Sequence, residues 1–208
     1  MFKDLRIIDY HFMNKYIAEL LGTFGLTLVV LLSLNGTFPV PTAVMAALTL
    51  GLFVYTIGHI SGTHINPAVT LGLLSIKKIG LIDASWYIVA QFVGAGLAMF
   101  VSALFIGIPT LIIVANTVTV GLFEFIGVFF FAFGIASVVS GKAPASLSGF
   151  IVGGSLLLGI SLASFKSNGV LNPAVAFGIG SFSLMYVVGP IIGSIVGMQV
   201  FKFLNGDK

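Results

Sequence analysis

The 208 residues are 58% hydrophobic and only 7% charged, with a mean hydropathy of +1.19, whereas soluble domains carry about 25% charged residues, so a soluble fold is excluded. Nine Lys and Arg residues against six Asp and Glu give a net charge of +3. No basic run exceeds Lys77-Lys78, which excludes the dense basic face that nucleic acid requires, and the absence of cysteine excludes a disulfide framework or a thiolate metal site.

The first apolar stretch, Tyr16–Leu34, has span length and no small-residue cleavage site after it, so it reads as a membrane span and not as a cleavable signal. Thr42–Ile60 is the second span. Ala68–Ile76 is different: at 1.5 Å per residue its length is about 14 Å, half of a ~30 Å hydrocarbon core. It reads as a re-entrant half-helix. Ala84–Ile106, Thr117–Ser140 and Ala145–Phe165 are three further spans, Ala174–Phe182 is a second half-helix, and Ser183–Phe201 is the sixth span. The expected fold class is an all-α membrane protein, six transmembrane helices plus two re-entrant half-helices, with 1–208 as a single domain.

Basic residues orient these spans. Lys3, Arg6 and Lys15 precede span one, Lys77 and Lys78 follow span two, Lys142 separates spans four and five, and Lys202 and Lys208 follow span six. With both termini cytoplasmic only Lys166 falls outside, so the positive-inside rule gives N-in, C-in; the expected location is the plasma (inner) membrane. The chain also repeats. Glu19-Leu20-Leu21-Gly22 answers Glu124-Phe125-Ile126-Gly127, and His64-Ile65-Asn66-Pro67-Ala68-Val69 answers Val170-Leu171-Asn172-Pro173-Ala174-Val175. Repeats of about 10–110 and 115–206 each hold three spans, an odd number, so the second enters the membrane inverted. Inverted repeats with interrupted helices place a permeation site where they meet, near the midplane.

Each Asn-Pro-Ala suits the start of a half-helix: Asn66 and Asn172 as N-caps, Pro67 and Pro173 at the first helical position, then Ala68 and Ala174. Irregular backbone at membrane depth is tolerated only where it is buried or lines a watery cavity. The two N-termini meet centrally, each with about half a positive charge. They oppose cations, protons included, while the Asn amides donate to a passing oxygen. The cargo this predicts is water and small uncharged solutes.

Glu19 and Glu124 are the charges deep inside spans and need interior partners. An ion or proton site is one reading; their symmetric placement favours the other, acceptors for backbone N–H groups of the re-entrant loops. His59 and His64 flank the first motif without a carboxylate cluster, so no metal site is expected. Bracing the loop is the preferred reading and pH sensing the alternative. Gly189, Gly193 and Gly197 have the spacing of helix-packing contacts. No cofactor motif and no nucleophile–base constellation is present, so no enzyme activity is expected.

These motifs, with Gly58-His59-Ile60-Ser61-Gly62, Ala90-Gln91 and Gly189-Pro190-Ile191-Ile192-Gly193, resemble the aquaporin (major intrinsic protein) family over nearly the whole chain. The resemblance implies an hourglass of six tilted helices, a homotetramer in which each subunit conducts, and an outer constriction at four positions. Counted from the motif asparagines, these are Ala46, Ile160, Gly169 and Val175. The family's usual water-selective set is Phe, His, a small residue and Arg, so this chain lacks the arginine and has a methyl group in place of a ring. A wider, uncharged filter admits glycerol, urea, ammonia, hydrogen peroxide or neutral organic acids. Lys166 is a candidate for restoring positive charge at the outer mouth. Ala176 stands where glycerol facilitators usually carry Asp, and Tyr186 keeps an aromatic ring as in water channels. A glycerol/urea/ammonia-type facilitator with low water permeability, a poorly conducting structural membrane protein and an ion-coupled transporter are the alternatives. The short loops Asn35–Pro41 and Gly107–Asn116 weigh against adhesion.

Overall fold

The computed structural model describes residues 3–36, 39–106 and 115–206. The loop stretches 37–38 and 107–114, and Lys208 of the charge count, lie outside the described residues. Eight α-helices follow in order: α1 (Lys3–Leu34), α2 (Thr42–Ser61), α3 (Pro67–Ser75), α4 (Leu81–Ile106), α5 (Val118–Val139), α6 (Ser148–Ala163), α7 (Pro173–Gly178) and α8 (Met185–Leu204), with a 3-10 turn at Ala145–Leu147 leading into α6. Six of the helical segments are long and apolar enough to cross a membrane: Met13–Leu34, Thr42–Ser61, Leu81–Phe105, Val118–Val139, Ala145–Ala163 and Met185–Leu204. The protein is an integral membrane protein. The two short helices α3 and α7 sit between spans two and three and between spans five and six.

Two boundaries differ from the sequence reading. Helix α1 begins at Lys3, some way before the apolar segment that starts at Met13, because nothing in 3–12 breaks a helix. Helix α7 stops at Gly178, four residues short of the expected Phe182. The cause is a left-handed Gly180 (φ +77°). Its N–H donates to the Phe177 carbonyl and that of Ser181 to the Ala176 carbonyl, the paired bonds that close a helix at a left-handed residue. Helix α3 closes the same way at Lys77 (φ +62°), with Lys77 N–H to the Leu74 carbonyl and Lys78 N–H to the Leu73 carbonyl.

Packing follows the repeat. Within the first half α1 packs chiefly on α4, within the second α5 packs on α8, and α2 against α6 joins the halves. The α5–α8 seam shows why glycine is needed every fourth residue. A Cβ on Gly189, Gly193 or Gly197 would lie 2.4 Å from the carbonyl oxygen of Gly121, Phe125 or Phe129 respectively, so the helices touch backbone to backbone, as small residues allow in lipid. In the first half, a Cβ on Gly94 would lie 2.3 Å from the Leu20 carbonyl oxygen. Outward faces are apolar: Ile82, Val89, Phe100 and Phe105 of α4 are exposed, as expected where lipid is the solvent.

Overpacking a tight seam costs about 1–3 kcal/mol, occasionally more. Gly193→Leu is therefore expected to lower the thermal stability of the detergent-solubilised protein by at least that amount. Gly154→Ala, on an open face of α6 where an added Cβ meets nothing within 4 Å, should leave it unchanged or slightly raised. Equal melting temperatures for both variants and the parent would contradict the seam.

Candidate functional site

The two loops that precede α3 and α7 are built alike, and the reason is a buried carboxyl group under each. Glu19 and Glu124 are fully buried. Under the first loop, Glu19 Oε1 accepts from Ser61 Oγ (2.7 Å) and His64 N–H (2.9 Å), and Oε2 from Ile65 N–H (2.6 Å) and Gln91 Nε2 (2.8 Å). Under the second, Glu124 Oε1 accepts from Ser167 Oγ (2.8 Å) and Val170 N–H (3.0 Å), and Oε2 from Leu171 N–H (2.7 Å). The serines also accept from the N–H two residues further on, Thr63 (3.1 Å) and Gly169 (3.0 Å). An acceptor with several lone pairs can gather that many donors, which no single backbone carbonyl could.

A tyrosine closes each loop from the following span. Tyr87 on α4 donates to the Ser61 carbonyl (2.9 Å), and Tyr186 on α8 accepts from Asn168 N–H (2.9 Å). The halves differ further at Gln91. Gln91 adds a donor to Glu19, and its Nε2 also donates to Thr70 Oγ1 (3.0 Å).

The residue before each motif asparagine is forced out of the ordinary backbone regions. Ile65 has φ +38° and Leu171 φ +59°, conformations costly for any non-glycine residue and most of all for a β-branched one. The twist aims their carbonyls across the midplane. Asn66 Nδ2 donates to the Leu171 carbonyl (2.9 Å), and Asn172 Nδ2 donates to the Ile65 carbonyl (2.9 Å). Meanwhile Asn66 Oδ1 caps α3 by accepting from Ala68 N–H (2.8 Å), and Asn172 Oδ1 caps α7 through Ala174 N–H (3.0 Å) and Val175 N–H (3.3 Å). Pro67 and Pro173 occupy the first helical position. Each amide thus commits its oxygen and one of its two N–H groups, leaving one N–H on each asparagine.

These asparagines floor a cavity of about 260 Å³. Its wall includes the four positions Ala46, Ile160, Gly169 and Val175, together with His64 and the apolar side chains of Leu26, Val30, Leu50, Phe131, Leu156 and Ile179. Thr42, Ser164 and Asn168 line the cavity where α2 begins and α6 ends. Gly169 has φ +61°, and a Cβ there would lie 2.6 Å from Ser164 Oγ, so a larger residue could neither take that backbone nor fit. Val175 puts an apolar surface at the first turn of α7.

His59, expected to brace the first loop, and Lys166, a candidate for the outer mouth, lie elsewhere. His59 is exposed and borders a shallow groove with Asn14, Ile17 and Ile60 on the outside of α1 and α2. It takes no part in the hydrogen bonds that hold the loop, because a helical side chain there points away from the turn its own backbone enters. Lys166 is exposed, with Nζ 5.1 Å from the centre of the Phe165 ring, and it is not part of the cavity wall. His64, by contrast, is buried, lines the cavity and stacks edge-on against Tyr87 at 4.9 Å. Ser61, Ser167 and the two tyrosines were missed as loop anchors. The serines share the 106-residue offset of the two motifs, a signal that was available.

Losing a buried acceptor leaves its donors unpaired at about 1–3 kcal/mol each. Glu124→Leu, which orphans the Val170 and Leu171 N–H groups and leaves Ser167 Oγ only the Ala163 carbonyl (2.9 Å), should cost at least ~2 kcal/mol and much of the folded yield in detergent. Glu124→Gln, which keeps one acceptor oxygen, should cost less. Folded yield and melting temperature of Glu124→Leu equal to the parent would refute the anchoring.

Similarity to known proteins matches this architecture. A family model described as major intrinsic protein matches residues 6–201. The chain is 32% identical to Nodulin-26 of Glycine max, an alignment covering 96% of this chain and 80% of that one. It is 29% identical to the aquaporin AqpM of Methanothermobacter thermautotrophicus, covering 93% of this chain and 98% of that one. Among solved structures it superposes on the aquaglyceroporin from Plasmodium falciparum with a TM-score of 0.66 over 93% of this chain and 95% of the other, at 19% identity; at that identity the likeness concerns the fold.

Proposed function

The chain belongs to the major intrinsic protein family, which makes it a membrane channel and not an enzyme, and on that premise we propose that it conducts water and small uncharged solutes through a wide, uncharged outer filter while excluding ions and protons. The observation that carries this reading is the single cavity that joins both motif asparagines to Ala46, Ile160, Gly169 and Val175.

Exclusion of charge rests on the midplane. The N-termini of α3 and α7 face each other there, and helix N-termini are electropositive. One N–H of each asparagine stays available for a solute oxygen. A water held by both has its hydrogens turned away from the junction in either direction, so it breaks the chain along which a proton would hop. Glu19 and Glu124 do not supply a counter-charge to the pathway, since their oxygens are spent on the loops. That argues against an ion-coupled transporter.

Selectivity among neutral solutes rests on the filter. Val175 offers no donor and no fixed charge, Ala46 leaves room that a ring would fill, and Ile160 adds an apolar wall. Such a filter favours solutes with an apolar flank, such as glycerol and urea derivatives, over water alone. A dewetting apolar constriction lowers water flux, and this supports a second reading in which solute passage exceeds water passage. The protein acts in a plasma (inner) membrane with both termini cytoplasmic, as a homotetramer of independently conducting subunits; the distribution of basic residues supports the orientation and family membership supports the assembly.

Stopped-flow light scattering on proteoliposomes tests the proposal, with water, glycerol and urea gradients and a pH-sensitive dye for proton leak. Solute flux well above empty liposomes with no added proton leak is expected; rates equal to empty liposomes for every solute would sink the channel reading. Val175→Arg, which puts bulk and charge into the filter, should reduce glycerol flux relative to water by about tenfold, equivalent to ~1.4 kcal/mol of added barrier. An unchanged ratio would remove Val175 from the filter.

A further inference from the structure

Behind the first loop runs a chain of hydrogen bonds whose protons can be assigned one after another. Gln91 must turn its Nε2 toward Glu19, because a carboxyl oxygen that already gathers donors takes a donor there (2.8 Å). The second Nε2 proton then goes to Thr70 Oγ1 (3.0 Å). Thr70 has one hydroxyl proton and two contacts left, the Asn66 carbonyl at 3.0 Å and His64 Nδ1 at 3.2 Å. The carbonyl is the closer acceptor and sits one helical turn back, where a helical threonine ordinarily donates. Nδ1 must then be the donor of its own contact. The surroundings agree: the Nδ1 side of the ring faces Thr70 and, through Gln91, the Glu19 network, while His64 itself lines the cavity.

From this network we infer that His64 is held as its Nδ1–H tautomer by Thr70, so that Nε2 is left as the hydrogen-bond acceptor that the ring offers to the cavity it lines together with Asn66. Resting on the channel reading above, this makes the midplane a paired donor–acceptor site. It selects for solutes that both donate and accept, such as urea, over solutes of similar size that only accept, such as dimethyl sulfoxide. Thr70 is buried and is not part of the cavity wall, so it acts as a positioning residue through the imidazole.

The experiment has a spectroscopic arm and a transport arm. The protein has three histidines; with His11→Gln and His59→Gln, only His64 contributes to a ¹⁵N-histidine correlation spectrum in detergent micelles. The expected spectrum has the proton on Nδ1 and the pyridine-type nitrogen at Nε2. Thr70→Val, which keeps the shape and removes the hydroxyl, should move the pyridine-type signal to Nδ1, and Thr70→Ser should restore it. In proteoliposomes the urea to dimethyl sulfoxide permeability ratio, corrected for empty vesicles, should fall about three- to tenfold in Thr70→Val, the span of one neutral hydrogen bond, and recover in Thr70→Ser. A parent spectrum with the proton on Nε2 overturns the assignment, whether or not Thr70→Val folds. A shifted tautomer with an unchanged ratio overturns the selectivity role. A parent that passes neither solute overturns the channel reading and the selectivity role together, and leaves the tautomer to be decided by the spectrum.

Discussion

Everything in this molecule depends on satisfying irregular backbone where there is no water to satisfy it. Two loops leave helical geometry at the middle of the membrane, and each exposed N–H or C=O in hydrocarbon costs several kcal/mol. The solution is a carboxyl group under each loop and an asparagine at its tip. Glu19 and Glu124 gather the N–H groups of His64, Ile65, Val170 and Leu171. Asn66 and Asn172 then occupy the carbonyls that the twist at Leu171 and Ile65 turns toward them. The loops hold each other as much as the spans hold them.

That mutual hold has a chemical consequence. An asparagine that caps its own helix and binds the opposite loop has one N–H left, fixed in direction by the commitments of its oxygen and its other N–H. The donors available at the midplane are therefore rigid, and they stand at the electropositive ends of two helices. The same bonds that stabilise the loops fix the direction of the remaining donors. On the channel reading proposed above, structure and selectivity against charge cannot be varied separately at these residues. At the proposed outer filter they can, because Val175 and Ala46 form no side-chain hydrogen bond and respond only to volume and polarity.

The repeat is close but not complete, and its break is informative. Carboxyl, serine and asparagine recur in both halves, and so does a tyrosine from the following span, though Tyr87 donates where Tyr186 accepts. Gln91 and Thr70 add a side-chain network to the first half only, and His64 stands at its cavity end. The first loop thus carries an ionisable ring at the cavity wall where the second carries Val170. Chemical asymmetry enters the pathway through this substitution, not through the fold.

Much of this was legible in the residues themselves. Span length, hydropathy and two Asn-Pro-Ala copies at a 106-residue offset fix six crossings, two half-helices and an inverted repeat, because apolar length and helix capping are local properties. Local signals also mark Glu19 and Glu124 as needing partners. They could not say which, since Ser61, Gln91 and the backbone donors come together only when α1 meets the loop and α4. The early end of α7 was set by a left-handed glycine that an apolar run conceals. His59 lies away from the loop it was expected to brace for the same reason: proximity in sequence does not give the direction of a side chain. Sequence by itself determined that the chain crosses the membrane six times around two capped half-helices. Tertiary structure decided which hydrogen each asparagine, histidine and threonine has left to offer, because that depends on partners supplied from the other half of the chain.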